Sequence, residues 1–168
     1  LYRNDQNDVF TEMPVGFISW TFGASCGDFD NDGWIDILIS SNPVHLYKNN
    51  GNSTFTDIAG HGLPGIDYGS VSSGDYDNDG DLDVSVTGET SLEGRITKVY
   101  KNNGNNTFTE QTSIVLHGVN GVRSIAKWGD YDNDGYLDLI VSGYDNSATF
   151  ITKVYHNTGN NSFTEVPG

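Results

Sequence analysis

Internal repetition is the feature that most limits what this chain can fold into. The segments GDFDNDGWIDILI, GDYDNDGDLDVSV and GDYDNDGYLDLIV begin at Gly27, Gly74 and Gly129. A second segment occurs as LYRNDQNDVFTEM from Leu1, LYKNNGNSTFTDI from Leu46, VYKNNGNNTFTEQ from Val99 and VYHNTGNNSFTEV from Val154. The two alternate, so three whole units of about 50 residues follow half a unit at the N-terminus. Each unit is then one supersecondary element that cannot bury its apolar face alone and must stack on its neighbours.

Each unit reads as four short strands. Small residues at 23–26, 70–73 and 125–128 suit a strand packed close to its neighbours. The runs 35–39, 82–86 and 137–141 are apolar and β-branched enough to be buried strands. The second segment is a hairpin: a strand through Tyr47, Tyr100 or Tyr155, an Asn/Gly turn, then Phe55, Phe108 or Phe163. No apolar pattern of period 3.6 persists, so no helix is expected. Four-stranded antiparallel sheets at this spacing are the pattern of β-propeller blades. The predicted fold is all-β: an outer hairpin of a preceding or shared blade at 1–13, then blades at 14–60, 61–113 and 114–168, together one partial propeller. The extra residues of the later units, 88–96 and 143–151, are expected as loops on one face, where a binding surface would form.

The first segment carries the chemistry. In D-x-D-N-D-G-x-x-D, positions 1, 3, 5 and 9 are Asp28, Asp30, Asp32 and Asp36; Asp75, Asp77, Asp79 and Asp83; Asp130, Asp132, Asp134 and Asp138. Asp, Asn and Gly also form turns without any ligand. Three copies with every acidic position filled favour a cation, because crowded carboxylates repel unless a positive charge sits among them. Short oxygen ligands at alternating positions suit Ca²⁺, one ion per blade, with the position-7 carbonyls of Trp34, Asp81 and Tyr136 as further ligands. Gly33, Gly80 and Gly135 supply the positive φ of a tight loop. The loop resembles the front of an EF-hand loop without its helices, and the metal is expected to be structural.

Charge and composition agree with this. Twelve of the 23 acidic residues occupy these positions, and the net charge of −15 disfavours nucleic acid or an anionic membrane as partner. Cys26 is the only cysteine, so no intrachain disulfide forms and an extracellular life would depend on metal instead. No starting methionine, signal segment or apolar run of about 18 residues is present, which reads as a mature piece or a fragment without a membrane span. Nucleophile-elbow, phosphate-loop and zinc-helix motifs are absent, so no enzyme activity is expected. The four histidines lack metal or triad spacing and are expected to be solvated or packed, and Lys98 and Lys153 to face solvent. Asn-x-Ser/Thr triplets at Asn52, Asn105 and Asn160 match glycosylation acceptors but read better as turn chemistry. Trp20, Tyr68 and Tyr144 could stack on sugar rings, against the commoner role of packing between blades.

The Gly-Asp-x-Asp-x-Asp-Gly-x-x-Asp loop, the apolar strand after it, Gly88 and Gly143, and the Tyr-x-Asn to Phe-Thr hairpin together resemble FG-GAP or VCBS-type repeats, the calcium-binding blades of integrin α-like propellers. The resemblance covers essentially the whole chain and departs at Ser40-Ser41-Asn42-Pro43, where the other units carry Gly and a longer insert. It implies that each loop joins the first two strands of a blade and holds Ca²⁺, and that closed members have around seven blades. Three blades do not close a ring, since propellers typically have four or more. The remaining blades would come from a longer chain or from a second copy in a homodimer. The expected role is a secreted or cell-surface recognition or adhesion segment that binds protein or glycan. The alternatives are a lectin, or a scaffold in a larger secreted enzyme.

Overall fold

A computed structural model describes residues 1–13, 16 and 20–168, with 122 and 123 described for the backbone alone. The expected start of the first blade at 14 lies outside the described residues. Strands β1 (Tyr2–Asn4) and β2 (Phe10–Glu12) form a two-stranded hairpin. The first four-stranded sheet comprises β3 (Gly23–Gly27), β4 (Asp36–Ser40), β5 (His45–Asn49) and β6 (Phe55–Ile58). The second comprises β7 (Asp67–Gly74), β8 (Asp83–Thr90), β9 (Gly94–Asn102) and β10 (Phe108–Glu110). The third comprises β11 (Asn120–Gly129), β12 (Asp138–Tyr144), β13 (Phe150–Asn157) and β14 (Phe163–Glu165). All three are antiparallel meanders, and among the described residues there is no helix, hence none long and apolar enough to cross a membrane.

The segments at 88–96 and 143–151 are loop only at their tips, 91–93 and 145–149. The β8–β9 ladder runs on to Thr90 opposite Gly94, and β12–β13 to Tyr144 opposite Phe150. Polar groups that flank the first of these segments are satisfied inside the ladder. Thr87 Oγ1 is buried 3.1 Å from Thr97 Oγ1 and donates to the Ile96 carbonyl at 3.0 Å. The Asn-x-Thr triplets fold as turns, with Asn52 Oδ1 accepting the Thr54 N–H at 3.1 Å and Asn105 Oδ1 that of Thr107 at 3.2 Å.

The sheets stack in chain order, with β7 lying between β3 and β11. Small residues make the approach possible. Ser25 Oγ lies 2.9 Å from Ser73 Oγ, and Ser124 Oγ donates to the Tyr68 carbonyl at 3.0 Å. A Cβ on Gly27 would lie 2.4 Å from Leu82, and one on Gly74 would lie 2.8 Å from Trp128. Between the first two sheets the core contains Phe29, Leu38, Leu46, Val71, Val84 and Val86. Tyr76, Val99 and Ile114, with Trp128 and Phe163 against them, fill the next gap. Among the described residues no further sheet packs on the third: a Cβ on Gly129 would meet nothing, and Ile140 is 38 % exposed where its counterpart Leu38 is 0 %. Tyr131 is 53 % exposed, whereas its counterparts Phe29 and Tyr76 are buried.

Two predictions follow from this packing. Gly74→Ala should destabilise the protein by about 1–3 kcal/mol through overpacking, and Gly129→Ala should stay within about 1 kcal/mol of the parent in denaturant melts. His61, in the connection from β6 to β7, is buried with Nε2 3.1 Å from the Val44 carbonyl and Nδ1 accepting the Leu63 N–H at 3.1 Å. Burial pushes its pKa below the usual 6.5. The unfolded chain therefore takes up this proton first, and the associated stability is present above pH 6.5 and lost as pH falls below it. Melting temperature followed across that range should show a component that His61→Gln removes.

Candidate metal centre

The three acidic loops join β3 to β4, β7 to β8 and β11 to β12, and they are wound alike. The position-1 carboxylate accepts the backbone N–H groups of positions 5 and 6. Asp28 takes those of Asp32 and Gly33 at 3.0 and 2.8 Å, Asp75 those of Asp79 and Gly80 at 3.1 and 3.0 Å, and Asp130 those of Asp134 and Gly135, both at 3.1 Å. Position 5 accepts the N–H of position 7, from Trp34 and Asp81 at 2.9 Å and Tyr136 at 2.8 Å. This winding needs two left-handed residues. Gly33, Gly80 and Gly135 have φ of 90–94°, and Asn31, Asn78 and Asn133 have φ of 56–60°. Asn tolerates that region better than other side-chain-bearing residues, which accounts for its presence at position 4 of every loop.

Position 9 does a different job from the others. Asp36, Asp83 and Asp138 are buried, and each uses both oxygens on backbone N–H groups. One oxygen accepts from position 2, at 3.0 Å from Phe29, 3.3 Å from Tyr76 and 3.0 Å from Tyr131. The other accepts from the third strand of the same sheet, at 2.7 Å from Asn49 and 2.8 Å from Asn102 and Asn157. Burial pushes the pKa of Asp36 up and that of Asp83 up to about 7, where Asp77 and Asp79 act in the same direction and the N–H donors oppose it.

Oxygens of Asp28, Asp30 and Asp32 lie within 4.8 Å of one another, as do those of Asp75, Asp77 and Asp83, and those of Asp130, Asp132 and Asp134. Asp36 and Asp79 stand outside these groups. Positions 3 and 5 also face a basic side chain that the sequence reading passed over. Lys48 Nζ bonds Asp30 and lies 2.5 Å from Asp32, and Lys101 Nζ bonds Asp77 and lies 2.8 Å from Asp79. Hydrogen bonding to these ammonium groups holds Asp32 and Asp79 below the usual carboxylate range. His156 takes the same place in the third sheet, with Nδ1 3.4 Å from Asp132 and 3.2 Å from Asp138. The signal was available: Tyr-Lys-Asn, Tyr-Lys-Asn and Tyr-His-Asn align in the second segment. Even so, Asp30 Oδ1 and Asp77 Oδ1 remain buried with no hydrogen-bond partner.

The position-7 side chains turn outward. A Cβ on Gly51 would lie 2.7 Å from the Trp34 indole, and one on Gly159 would lie 3.4 Å from the Tyr136 ring. Asp81 accepts a hydrogen bond from Asn31 Nδ2 of the preceding loop at 2.5 Å. Of the expected sugar contacts, Trp20 is 87 % exposed, while Tyr68 pairs with Phe22 at 5.4 Å and Tyr144 with Phe150 at 5.2 Å. Among the described residues no ring contact joins Trp20, Tyr68 and Tyr144 to one another.

The loops also bind the sheets together. Asn102 Nδ2 donates to the Phe29 carbonyl and Asn157 Nδ2 to the Tyr76 carbonyl, each at 2.8 Å, so an asparagine of one sheet holds the loop of the sheet before it. Among the described residues Asn49 Nδ2 reaches the Ile35 carbonyl of its own unit and no neighbouring sheet. Asn102→Ala and Asn157→Ala each leave buried carbonyls without a donor and should cost about 1–3 kcal/mol, with a smaller loss for Asn49→Ala in chemical denaturation.

Comparison with curated proteins finds no match. The model of the FG-GAP-like repeat matches residues 28–86 and 87–141. The first match opens on the first acidic loop and takes in the second, and the next contains the third. With all three loops and most of its length inside consecutive matches, the chain belongs to the FG-GAP-like repeat family.

Proposed function

We propose that the chain is a calcium-binding, non-catalytic β-propeller segment that works outside the cell in recognition or adhesion. The observation that carries the cation reading is the pair of orphaned oxygens, Asp30 Oδ1 and Asp77 Oδ1. A buried carboxylate oxygen without a donor costs about 1–3 kcal/mol or more. A cation among positions 1, 3 and 5, drawing also on position 9 and the position-7 carbonyl, removes that cost. The donors are all hard oxygens on an irregular loop, which suits Ca²⁺ better than Mg²⁺ with its strict octahedral demand. One ion per loop would act structurally, by drawing together carboxylates that otherwise repel.

The propeller reading is supported by three successive sheets that stack in the same sense through the same contacts. Further units, from a longer chain or a second copy, would cover the face around Tyr131. Carbohydrate binding is the second reading, favoured by the exposure of Trp20 and by the Phe22–Tyr68 and Tyr144–Phe150 pairs near the strand ends remote from the acidic loops.

Calcium at a hundredfold excess over Kd should add about 2.7 kcal/mol per site, visible as a higher melting temperature than in chelator. Asp30→Asn and Asp77→Asn should each reduce that increment. A melting temperature indifferent to chelator ends the cation reading, and light scattering on the same samples tells a monomer from a paired chain. A glycan array without binding ends the carbohydrate reading.

A further inference from the structure

The first acidic loop differs from the other two in one contact that crosses between sheets. Asn106, in the turn between β9 and β10 of the second sheet, donates through Nδ2 to Asp30 Oδ2 at 2.9 Å. Among the described residues no side chain of a neighbouring sheet reaches Asp77 or Asp132 in this way. The amide oxygen of Asn106 is buried and has no hydrogen-bond partner, and neither has Asp30 Oδ1. Two residues in direct contact thus each keep a buried, acceptor-only oxygen with no proton to receive. Lys48 does not relieve this, because its ammonium is bonded to Asp30 Oδ2 and Asp32 Oδ2.

The second loop supplies an internal control. Asn161 occupies the same turn position in the third sheet, with the same left-handed backbone: φ is 60° at Asn106 and 57° at Asn161. Its Oδ1 accepts the Tyr76 hydroxyl at 2.8 Å. Tyr76 is position 2 of the second loop, and position 2 of the first loop is Phe29, which has no hydroxyl to give. One oxygen atom at position 2 therefore decides whether the amide of the next sheet is satisfied locally or left facing the loop.

We propose that Asn106 is an inter-sheet ligand of the cation held by the first acidic loop, so that filling this loop also fastens the first sheet to the second. This rests on the cation reading above. A neutral amide oxygen is an ordinary calcium ligand, and oxygen and nitrogen of the amide exchange places by a half-turn of the side chain. The second loop, whose Asn161 is engaged by Tyr76, lacks this ligand, and among the described residues no sheet offers one to the third.

Terbium titration with tryptophan excitation reads the first loop, the part of the emission that Trp34→Phe abolishes. Asn106→Gly removes the side chain while accepting the left-handed backbone. It should weaken terbium, and calcium by competition, roughly tenfold at this site, while Asn161→Gly leaves the site unchanged. Asn106→Asp keeps an oxygen and loses the N–H donor, and it should bind at least as tightly as the parent. Parent-like binding by Asn106→Gly overturns the proposal and leaves the cation reading intact. Equal weakening by Asn106→Gly and Asn106→Asp also overturns it, because the donor to Asp30 would then be what matters. A parent chain with no sensitised emission and no response to calcium overturns both.

Discussion

Mutual repulsion among four carboxylates within nine residues is the constraint to which the rest of the molecule answers. Two unit charges about 4 Å apart at a protein surface repel by about 4 kcal/mol, so each carboxylate needs a positive partner on at least one of its oxygens. Backbone N–H groups serve positions 1 and 9, and ammonium groups serve positions 3 and 5 in the first two sheets. Serving position 9 requires an N–H from the third strand, which fixes how the loop sits on its sheet. The same asparagine then turns its side chain to the preceding loop, so the neutralisation of one loop and the docking of the next sheet share a residue.

The three loops are close to identical in winding and unlike in surroundings. Lysine faces the first two and histidine the third. Position 2 is Phe29, Tyr76 or Tyr131, covered in the first two and open in the last. Such differences arise at the contacts between units, where each sheet meets a neighbour that is similar but not the same. Local rigidity is therefore expected to differ from loop to loop rather than repeat.

The strands and loops were legible because three copies let chance turn-forming residues be told from a pattern, and because apolar, β-branched runs mark the strands that a sheet buries. Asp36, Asp83 and Asp138 were legible as carboxylates but not as buried cross-links, since nothing in the loop itself shows that a third-strand N–H will reach them. Lys48, Lys101 and His156 lie 16 or more residues beyond the carboxylates they pair with, and only the sheet brings them back. The stretches at 88–96 and 143–151 read as loops because they are the extra residues of the later units, yet the ladders run on to Thr90 opposite Gly94 and Tyr144 opposite Phe150 and leave only the tips as turns. The Asn106 contact was out of reach because it depends on two sheets at once.

The uncovered face of the third sheet has a symmetry consequence. Every interface in the stack is head-to-tail: a carbonyl at position 2 on one side, an asparagine amide on the other. A two-fold dimer through the open face would set Tyr131 against Tyr131 and Gly129 against Gly129, carbonyl toward carbonyl, with no amide to join them. Isologous pairing through this face is thus disfavoured by the donor pattern itself, and a unit that docks here has to bring a side-chain amide to the Tyr131 carbonyl, as Asn102 and Asn157 do to Phe29 and Tyr76.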